Sequence, residues 1–306
     1  MTFPTPAILT DREWVLTRAD EQAVVSARGG ALRSYTAAGR PVVDGWADAE
    51  VPPAFNGAVL APWPNRIRDG RWSRGGRAHQ LPINEPERGT ALHGLVIWTD
   101  WQLVAHGPEA ITLSCRIPAQ PGYPFQVEVG VTWSLTEAGL ACELTAINTG
   151  PTRAPFGVAT HAFFGFPDRG VDELTLSLPA RTRQAVDERL LPLETVALSR
   201  PLGALRGVEL DTAYTDVTRD EDGLARARLS CDQGEIEVWA DASFGWWQLY
   251  TSDMFDAGDP RRRRSVAIEP MTCGPDAFNS GRDLIELAPG QSWSGRWGVR
   301  PSWLST

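Results

Sequence analysis

Hydrophobic and polar residues alternate along much of the chain with a period of two. The clearest run covers residues 125–135, where every second residue is apolar: Phe125, Val127, Val129, Val131, Trp133 and Leu135. Such alternation predicts a strand with one buried face and one polar face. The pattern resumes over residues 140–146 after a turn at residues 136–139. Together the two runs predict a long antiparallel hairpin.

Shorter strand signals recur over residues 13–17, 23–27, 110–117, 173–178, 225–230 and 235–240, punctuated by 24 prolines and 29 glycines. No segment keeps a 3.6-residue period over four turns. Residues 184–195 could hold a helical turn, which Pro192 would interrupt. Neither an internal repeat nor a linker-like change of composition is visible. We therefore predict that residues 1–306 form one all-β domain, a large antiparallel sandwich with few short helices.

Composition narrows the possible partners. The net charge of -9 argues against binding to duplex nucleic acid, which needs a basic surface. No apolar run approaches the ~20 residues of a membrane-spanning helix, and the N-terminal residues lack the features of a secretory signal. We therefore expect a cytoplasmic protein without nucleic-acid or membrane partners. A monomer is the default expectation, since no obligate interface pattern is visible.

The 29 basic residues are all arginine. Schiff-base chemistry, pyridoxal-phosphate enzymes and the Walker A phosphate loop all need a lysine, so these classes are excluded. The four cysteines, Cys115, Cys142, Cys231 and Cys273, form no CxxC pair. Their spacing argues against a zinc site and against a disulfide framework.

One carboxylate stands where a buried strand meets a loop. Residues 266–268 are apolar, Glu269 follows, and residues 270–281 are rich in proline, glycine and asparagine. A carboxylate in this place would be partly desolvated, which raises its basicity, and would be held in one position. The alternative is a strand-end glutamate that accepts hydrogen bonds from loop amides. The local pattern leaves both interpretations open.

Two of the four histidines lie at the ends of apolar segments. His93 is followed by Gly94, and His161 precedes two phenylalanines, whereas His79 and His106 stand in polar sequence typical of a surface. Taken singly, such a histidine is more often structural than catalytic. Two at strand ends make His93 and His161 candidates for proton transfer.

Arginines supply two further candidate sites. Asn65 and Arg66 follow two prolines, and a rigid Asn–Arg pair suits the recognition of hydroxyl groups, although the arginine could instead bridge two loops. A basic run, Arg261, Arg262, Arg263 and Arg264, lies five residues before Glu269. It is either a solvated loop or a clamp for an anionic substituent of a ligand.

Together these segments resemble the aldose 1-epimerase (galactose mutarotase) family. Residues 65–67 (NRI) and 92–94 (LHG) match two of its segments, and residues 160–164 (THAFF) resemble its histidine–aromatic strand end. Residues 269–270 and 275–279 (EP and PDAFN) resemble its glutamate strand and the loop that follows. Residues 210–214 (LDTAY) are similar to its aspartate segment, and residues 289–293 (PGQSW) to its closing strand entry.

The resemblance follows the order of the family from about residue 55 onward and is closest to a bacterial mutarotase-like branch. Three residues depart from its pattern: Thr160 replaces an asparagine, Phe163 replaces a tyrosine, and Pro270 follows the glutamate. These departures leave the identity of the sugar open. The family fold, a large β supersandwich, agrees with the period-two pattern.

The resemblance implies an isomerase that interconverts the α and β anomers of a hexose or related monosaccharide by opening and closing its ring. No metal or cofactor is implied. Glu269 would act as the base at the C1 hydroxyl, and His161 as the acid at the ring oxygen. His93 would polarise the sugar near that oxygen and could share the acid role. Arg66 and Asp211 would hold hydroxyl groups, with Asn65 supporting the arginine.

Three alternatives remain. The chain could be a non-catalytic carbohydrate-binding module on the same fold, or a hydrolase or lyase whose two carboxylates are Glu269 and Asp211. It could also keep the mutarotase chemistry but act on a deoxy sugar, or on a phosphorylated or sulfonated sugar held by arginines such as Arg68, Arg71 or the run at residues 261–264.

Overall fold

A computed structural model of the chain describes residues 12–46 and 52–304. This part contains 26 β-strands, two 3-10 turns (Pro53–Phe55 and Val171–Glu173) and one short α-helix, α1 (Ala277–Ser280). The strands are β1 (Glu13–Arg18), β2 (Glu21–Ser26), β3 (Leu32–Ala37), β4 (Arg40–Val43), β5 (Val59–Leu60), β6 (Arg66–Arg68), β7 (Arg71–Arg74), β8 (Arg77–Gln80), β9 (Thr90–Leu92), β10 (Gln102–His106), β11 (Ala110–Ile117), β12 (Val127–Thr136), β13 (Gly139–Asn148), β14 (Ala154–Phe156), β15 (Ala159–Thr160), β16 (Phe163–Phe164), β17 (Thr175–Ser177), β18 (Ala180–Val186), β19 (Pro192–Ala197), β20 (Asp211–Val217), β21 (Ala225–Cys231), β22 (Gly234–Ala240), β23 (Trp246–Tyr250), β24 (Val266–Met271), β25 (Ile285–Leu287) and β26 (Ser292–Pro301).

Two large antiparallel sheets dominate the molecule. The larger has twelve strands, ordered β1-β2-β3-β4-β16-β24-β23-β20-β18-β19, with β15 joining β24 to β5. The smaller has eight, ordered β10-β11-β12-β13-β26-β22-β21-β17. Trp297 of the smaller sheet packs edge-on against Phe164 of the larger, with ring centroids 6.5 Å apart. Such contacts fill the interior between the sheets, and the predicted all-β supersandwich is confirmed.

The hairpin predicted from the alternating pattern is present. Strands β12 and β13 pair over ten residues, and every odd-numbered residue of β12 is buried. The helical turn considered for residues 184–195 is wrong, because this segment contributes to the hairpin β18–β19. Pro192 begins β19, which is an edge strand. Proline has no amide hydrogen to donate to a ladder, and it is tolerated at the first residue of a strand and on edge strands.

The two histidines expected at the surface both lie in strands. His106 is exposed in the edge strand β10, as predicted. His79 is half-buried in β8, and its ring stacks on Trp72 with centroids 4.6 Å apart. Within residues 12–46 and 52–304, no helix is long and apolar enough to cross a bilayer.

Candidate active site

The strand register of the larger sheet brings Glu269 and His161 together. Strands β15 and β16 pair with β24 so that His161 lies opposite Glu269. On the other side of β24, β23 places Gln248 directly beside Glu269. His161 Nε2 is 3.5 Å from Glu269 Oε1. We call His161, Glu269 and Gln248 the central row.

Two members of the central row are buried without hydrogen-bond partners. Glu269 is 1% exposed and His161 is 5% exposed. Among the residues that the structure describes, neither carboxylate oxygen of Glu269 has a hydrogen-bond partner, and neither does Nδ1 of His161. A buried polar atom left unpaired costs about 1–3 kcal/mol, and such atoms are rare in folded proteins. The row is therefore unfavourable to the fold and suited to a polar ligand that supplies the missing partners.

Burial also shifts the titration of both groups. It raises the pKa of Glu269 well above its usual value, reinforced by the negative charge of Asp211 and opposed by Arg66. It lowers the pKa of His161 to about 4, with a smaller contribution from Arg66. Both shifts favour the uncharged forms. Between the two pKa values, the pair holds one proton in total. Acid–base exchange with a substrate needs one group with a proton and one without.

His93 stands beside this pair on a turn between β9 and the following loop. Its backbone has a φ of 62°, and Gly94 after it has a φ of 82°. A Cβ on Gly94 would lie 2.1 Å from the carbonyl oxygen of Ala61, so only glycine allows this approach. The rings of His93 and His161 meet edge-on, with centroids 5.1 Å apart.

The protonation of His93 follows from its contacts. Its Nδ1 accepts a hydrogen bond of 3.3 Å from the backbone N–H of Asn65. Burial lowers the pKa of His93 well below its usual value, and the neighbouring His161 and Arg66 add to the effect. A neutral imidazole that accepts at Nδ1 carries its proton on Nε2. His93 is therefore a hydrogen-bond donor through Nε2.

Arg66 is held by a buried ion pair. Its Nε and one terminal nitrogen bind the two oxygens of Glu85 at 2.8 and 3.0 Å. The same terminal nitrogen lies 3.4 Å from Asp211 Oδ2. Burial acts to lower the pKa of Arg66, but the Glu85 hydrogen bond and the charge of Asp211 outweigh it and raise the pKa. The guanidinium is thus permanently charged and fixed in one orientation.

A chain of hydrogen bonds links this ion pair to the central row. Gln248 Nε2 donates to Asp211 Oδ1 at 2.5 Å, and Asn65 Nδ2 donates to Gln248 Oε1 at 3.2 Å. Asn65 Oδ1 accepts from the backbone N–H of Arg66 at 2.8 Å. Gln248 therefore fixes Asp211 and Asn65 relative to Glu269, its neighbour in the sheet.

Aromatic rings form the walls beside the histidines. Phe163 stacks on His161 with ring centroids 5.1 Å apart. Phe55 meets the edge of His93 at 4.9 Å, and the 46% exposed Trp98 lies 5.5 Å beyond Phe55. Aromatic rings of this kind offer apolar faces to the C–H groups of a ligand.

The structure gathers all six residues singled out by the sequence into one connected site: Glu269, His161, His93, Arg66, Asp211 and Asn65. The sequence left open whether Arg66 recognises a hydroxyl group or bridges two loops. In the structure its side chain bridges Glu85 and Asp211, and the same arrangement places it in the site. Sequence reasoning missed Glu85, Gln248 and Phe55. Gln248 had a usable signal, since it is the one amide in the apolar strand Trp246–Tyr250. Glu85 lies in a loop without a periodic pattern and had none.

Among the residues that the structure describes, no group of three or more His, Cys, Asp or Glu side chains is arranged to hold a metal ion.

Comparisons with known proteins identify the family. The model of the aldose 1-epimerase family matches residues 12–300. "Uncharacterized protein YihR" of Escherichia coli K12 is 33% identical over 279 residues, covering 90% of this chain and 89% of that protein. Galactose mutarotase of Mus musculus is 31% identical over 153 residues, covering 47% and 42%. A solved GalM/aldose epimerase homologue from C. elegans has a TM-score of 0.84 at 20% identity, covering 95% of this chain and 99% of that chain. The chain belongs to the aldose 1-epimerase family.

Proposed function

We propose that this protein is a mutarotase that interconverts the α and β anomers of a hexose or related aldose. The observation that carries the proposal is the contact between His161 Nε2 and Glu269 Oε1, 3.5 Å apart, in a buried row where the carboxylate has no other partner. Such a pair can exchange protons with a ligand placed over it. Membership of the aldose 1-epimerase family supports the reaction class.

The reaction moves two protons and breaks one bond. A base takes the proton of the C1 hydroxyl while an acid gives a proton to the ring oxygen, and the C1–O5 bond opens to leave an aldehyde and a C5 hydroxyl. Rotation about C1–C2 exposes the other face of the aldehyde. The reverse proton transfers close the ring with the opposite configuration. Each general acid or base contributes on the order of 10² to 10⁴ in rate.

We assign Glu269 as the base at the C1 hydroxyl and His161 as the acid at the ring oxygen. Without a bound sugar, the two pKa shifts place the single proton of the pair on Glu269. The assigned roles require that hydroxyl donors of the bound sugar stabilise the Glu269 carboxylate, so that this proton lies on His161 when the ring opens. The pair holds one proton before and after the reaction, so the site is ready for the reverse reaction. His93 donates from Nε2 towards the ring oxygen and stabilises the charge that develops there during opening. The raised pKa of Glu269 makes it a stronger base than an exposed glutamate.

Arg66 and Asp211 are the proposed anchors for ring hydroxyls. Arg66 supplies N–H donors and Asp211 supplies acceptors, which together match the two hydrogen-bonding modes of a hydroxyl group. Because Glu85 and Gln248 already hold these side chains in place, little conformational freedom is lost when a sugar binds. Asn65 accepts a hydrogen bond from the backbone N–H of Arg66 and donates one to Gln248, and so fixes these two residues relative to each other.

Polarimetry of freshly dissolved α-D-glucose and α-D-galactose tests the proposal. We expect the protein to accelerate the approach to anomeric equilibrium above the spontaneous rate. Sugar binding without acceleration would favour the carbohydrate-binding module. Release of a reducing end from a glycoside would favour the hydrolase. Acceleration by the native protein, compared with a Glu269→Gln variant that still binds sugar, would support the assignment.

A further inference from the structure

Two consecutive residues beside the candidate active site have a strained backbone. Ala54 has a φ of 49° and Phe55 a φ of 60°, both within the 3-10 turn Pro53–Phe55. This left-handed region is uncommon for residues other than glycine. Such strain persists only where the surrounding structure imposes it, and it is concentrated at functional sites. The contacts of the turn should therefore show what holds it and what it does.

The turn directs one aromatic ring at both histidines of the site. The centroid of the half-buried Phe55 ring lies 4.9 Å from that of His93 and 6.2 Å from that of His161. The two imidazoles are themselves 5.1 Å apart, so the three rings meet pairwise. We call these three rings the ring cluster. Each ring restricts the rotation of the other two, and both imidazoles are at most 6% exposed.

The backbone after the turn pairs with the backbone of His161. The Gly57 N–H donates to the carbonyl oxygen of His161 at 2.8 Å, and the His161 N–H donates to the carbonyl oxygen of Ala58 at 3.0 Å. These two bonds fix the point at which the chain leaves the turn. The direction of the Phe55 ring depends in addition on the conformation of residues 54 and 55.

Asn56 holds the turn at a second point. Its side chain is 5% exposed, and its Nδ2 donates to the backbone oxygen of Asp44 at 2.5 Å. Its backbone N–H donates to the carbonyl oxygen of Pro53 at 3.0 Å and closes the turn. One residue therefore closes the strained turn and ties it to a segment twelve residues earlier in the chain.

Asp44 is a firm anchor for that bond. Its carboxylate binds the guanidinium of Arg264 through two hydrogen bonds, at 2.7 and 2.8 Å, and accepts a third from the Ser265 hydroxyl at 2.6 Å. The Asp44 N–H donates to the carbonyl oxygen of Phe163, whose ring stacks on His161. Arg264, one of the four arginines of the basic run, is thus engaged in holding Asp44.

We propose that Asn56 is a positioning residue that acts through Phe55. It holds the strained turn so that the Phe55 ring stays against both imidazoles, fixes their orientation and keeps water from them. The inference rests on the proposed mutarotase function, in which His161 is the acid at the ring oxygen and His93 donates to that oxygen. Asn56 and Phe55 exchange no proton with the sugar.

A displaced Phe55 ring should change both turnover and titration. A catalytic group moved by about 1 Å can cost on the order of 10²-fold in rate. Water that reaches the imidazoles raises their pKa towards the ordinary histidine value. The charged or titratable side chains around His161 remain unchanged by substitutions in the turn: Glu269, His93, Arg66 and Asp211.

Mutarotation of α-D-glucose by Phe55→Ala, Asn56→Ala and the double variant tests the proposal. We expect each single substitution to lower kcat about tenfold and to move the acid decline of kcat/KM up by about one pH unit. Because Asn56 acts through Phe55, the double variant should lose only about twofold or less beyond Phe55→Ala. NMR titration of the four histidines should show the same upward movement for His161, independently of activity.

Phe255→Ala is the matched control. Phe255 is also half-buried, but its ring faces the guanidinium of Arg261 at 4.7 Å. We expect kcat and the pH profile to stay unchanged. Should Asn56→Ala fail to fold, residue 54 provides the test. Ala54→Gly should keep native kinetics, because glycine adopts a positive φ freely, whereas Ala54→Val should reproduce the loss, because a β-branched residue disfavours it.

Independent, multiplicative effects of Phe55→Ala and Asn56→Ala on kcat would overturn the proposal. A rise in KM alone, with an unaltered pH profile, would also overturn it and would make Phe55 only a wall for the sugar. An unchanged His161 titration in Phe55→Ala would have the same consequence. Absence of acceleration by the native protein with every sugar would instead refute the proposed function, and the NMR titration would still decide whether Phe55 keeps water from the imidazoles.

Discussion

Two buried glutamates in this protein behave in opposite ways. Glu85 is 5% exposed and accepts hydrogen bonds from Arg66, Arg88 and Thr90. Burial acts to raise its pKa, but the hydrogen bonds and charge of Arg66 outweigh burial and lower the pKa. Glu269 is 1% exposed, accepts no hydrogen bond from the described part of the chain, and has a pKa raised well above the usual value.

The difference shows what a buried carboxylate needs in order to be structural. Around Glu85, two guanidinium groups and one hydroxyl donor replace the water lost on burial, so the ionised form is the stable one. Around Glu269 nothing in the described chain replaces that water, so its proton affinity is high and can be changed by a ligand. Perturbed groups of this second kind mark functional sites.

Removing the proton-accepting carboxyl group of Glu269 should produce the largest effect on turnover. We expect Glu269→Gln to lower the catalysed mutarotation rate about 10³-fold, within the range typical of a general base. Stability should not fall, because the amide has nearly the same shape as the carboxyl group and, like the protonated carboxyl, carries no charge that must be buried. Polarimetry and thermal unfolding measure the two effects. Near-native rates would remove Glu269 from the base role.

Substitution of His161, which lies opposite Glu269, should produce the second largest effect on turnover. We expect His161→Asn to lower the rate about 10²-fold, because the acid at the ring oxygen is lost while His93 remains. His106→Asn is the control, since His106 is exposed on the edge strand β10, and its effect should be less than twofold. Equal, small effects of both substitutions would show that neither histidine takes part.

A glutamate-to-glutamine substitution at Glu85, which has hydrogen-bond partners, should mainly lower stability. We expect Glu85→Gln to lower the free energy of unfolding by about 3 kcal/mol, because the buried charge of Arg66 loses its main partner. Turnover should change mainly through KM, as the arginine loses its orientation. Denaturant unfolding and steady-state kinetics separate these effects. A loss of kcat as large as that of Glu269→Gln would erase the distinction between the two carboxylates.

Acidification should give the smallest effect near neutral pH. The pKa of His161 is lowered to about 4, so kcat/KM should stay level from pH 7 to about 5 and fall only as the pair takes a second proton near pH 4. The unfolded chain binds a proton at its ordinary histidine pKa. Within the pair, that proton is matched by the one that buried Glu269 holds in the folded chain, so their two contributions to stability largely cancel below pH 6.5. The lowered pKa of His93 has no such counterpart, so stability should decline as pH falls below about 6.5. A rate decline centred near pH 6.5 would indicate an ordinary, hydrated histidine.

The alternation of apolar and polar residues was sufficient to predict the β-sandwich architecture. Residues 125–135 and 140–146 predicted the β12–β13 hairpin because one face of a strand must be apolar to enter a core. This alternation is visible within the segment itself. The segment at residues 184–195 was misread because β18 and the edge strand β19 are mostly exposed or half-buried and lack a clear apolar face. At such positions neighbouring strands, rather than the segment itself, select the conformation.

By itself the sequence determined that the chain is a β-sandwich and which six side chains were candidates for the site. Only the tertiary structure decided that His161 faces Glu269, since that depends on the register between strands about a hundred residues apart. It also decided that Glu85 has hydrogen-bond partners, whereas Glu269 has none among the described residues. Proton affinity depends on the charges, donors and water around a group, and these come from distant segments that only folding brings together.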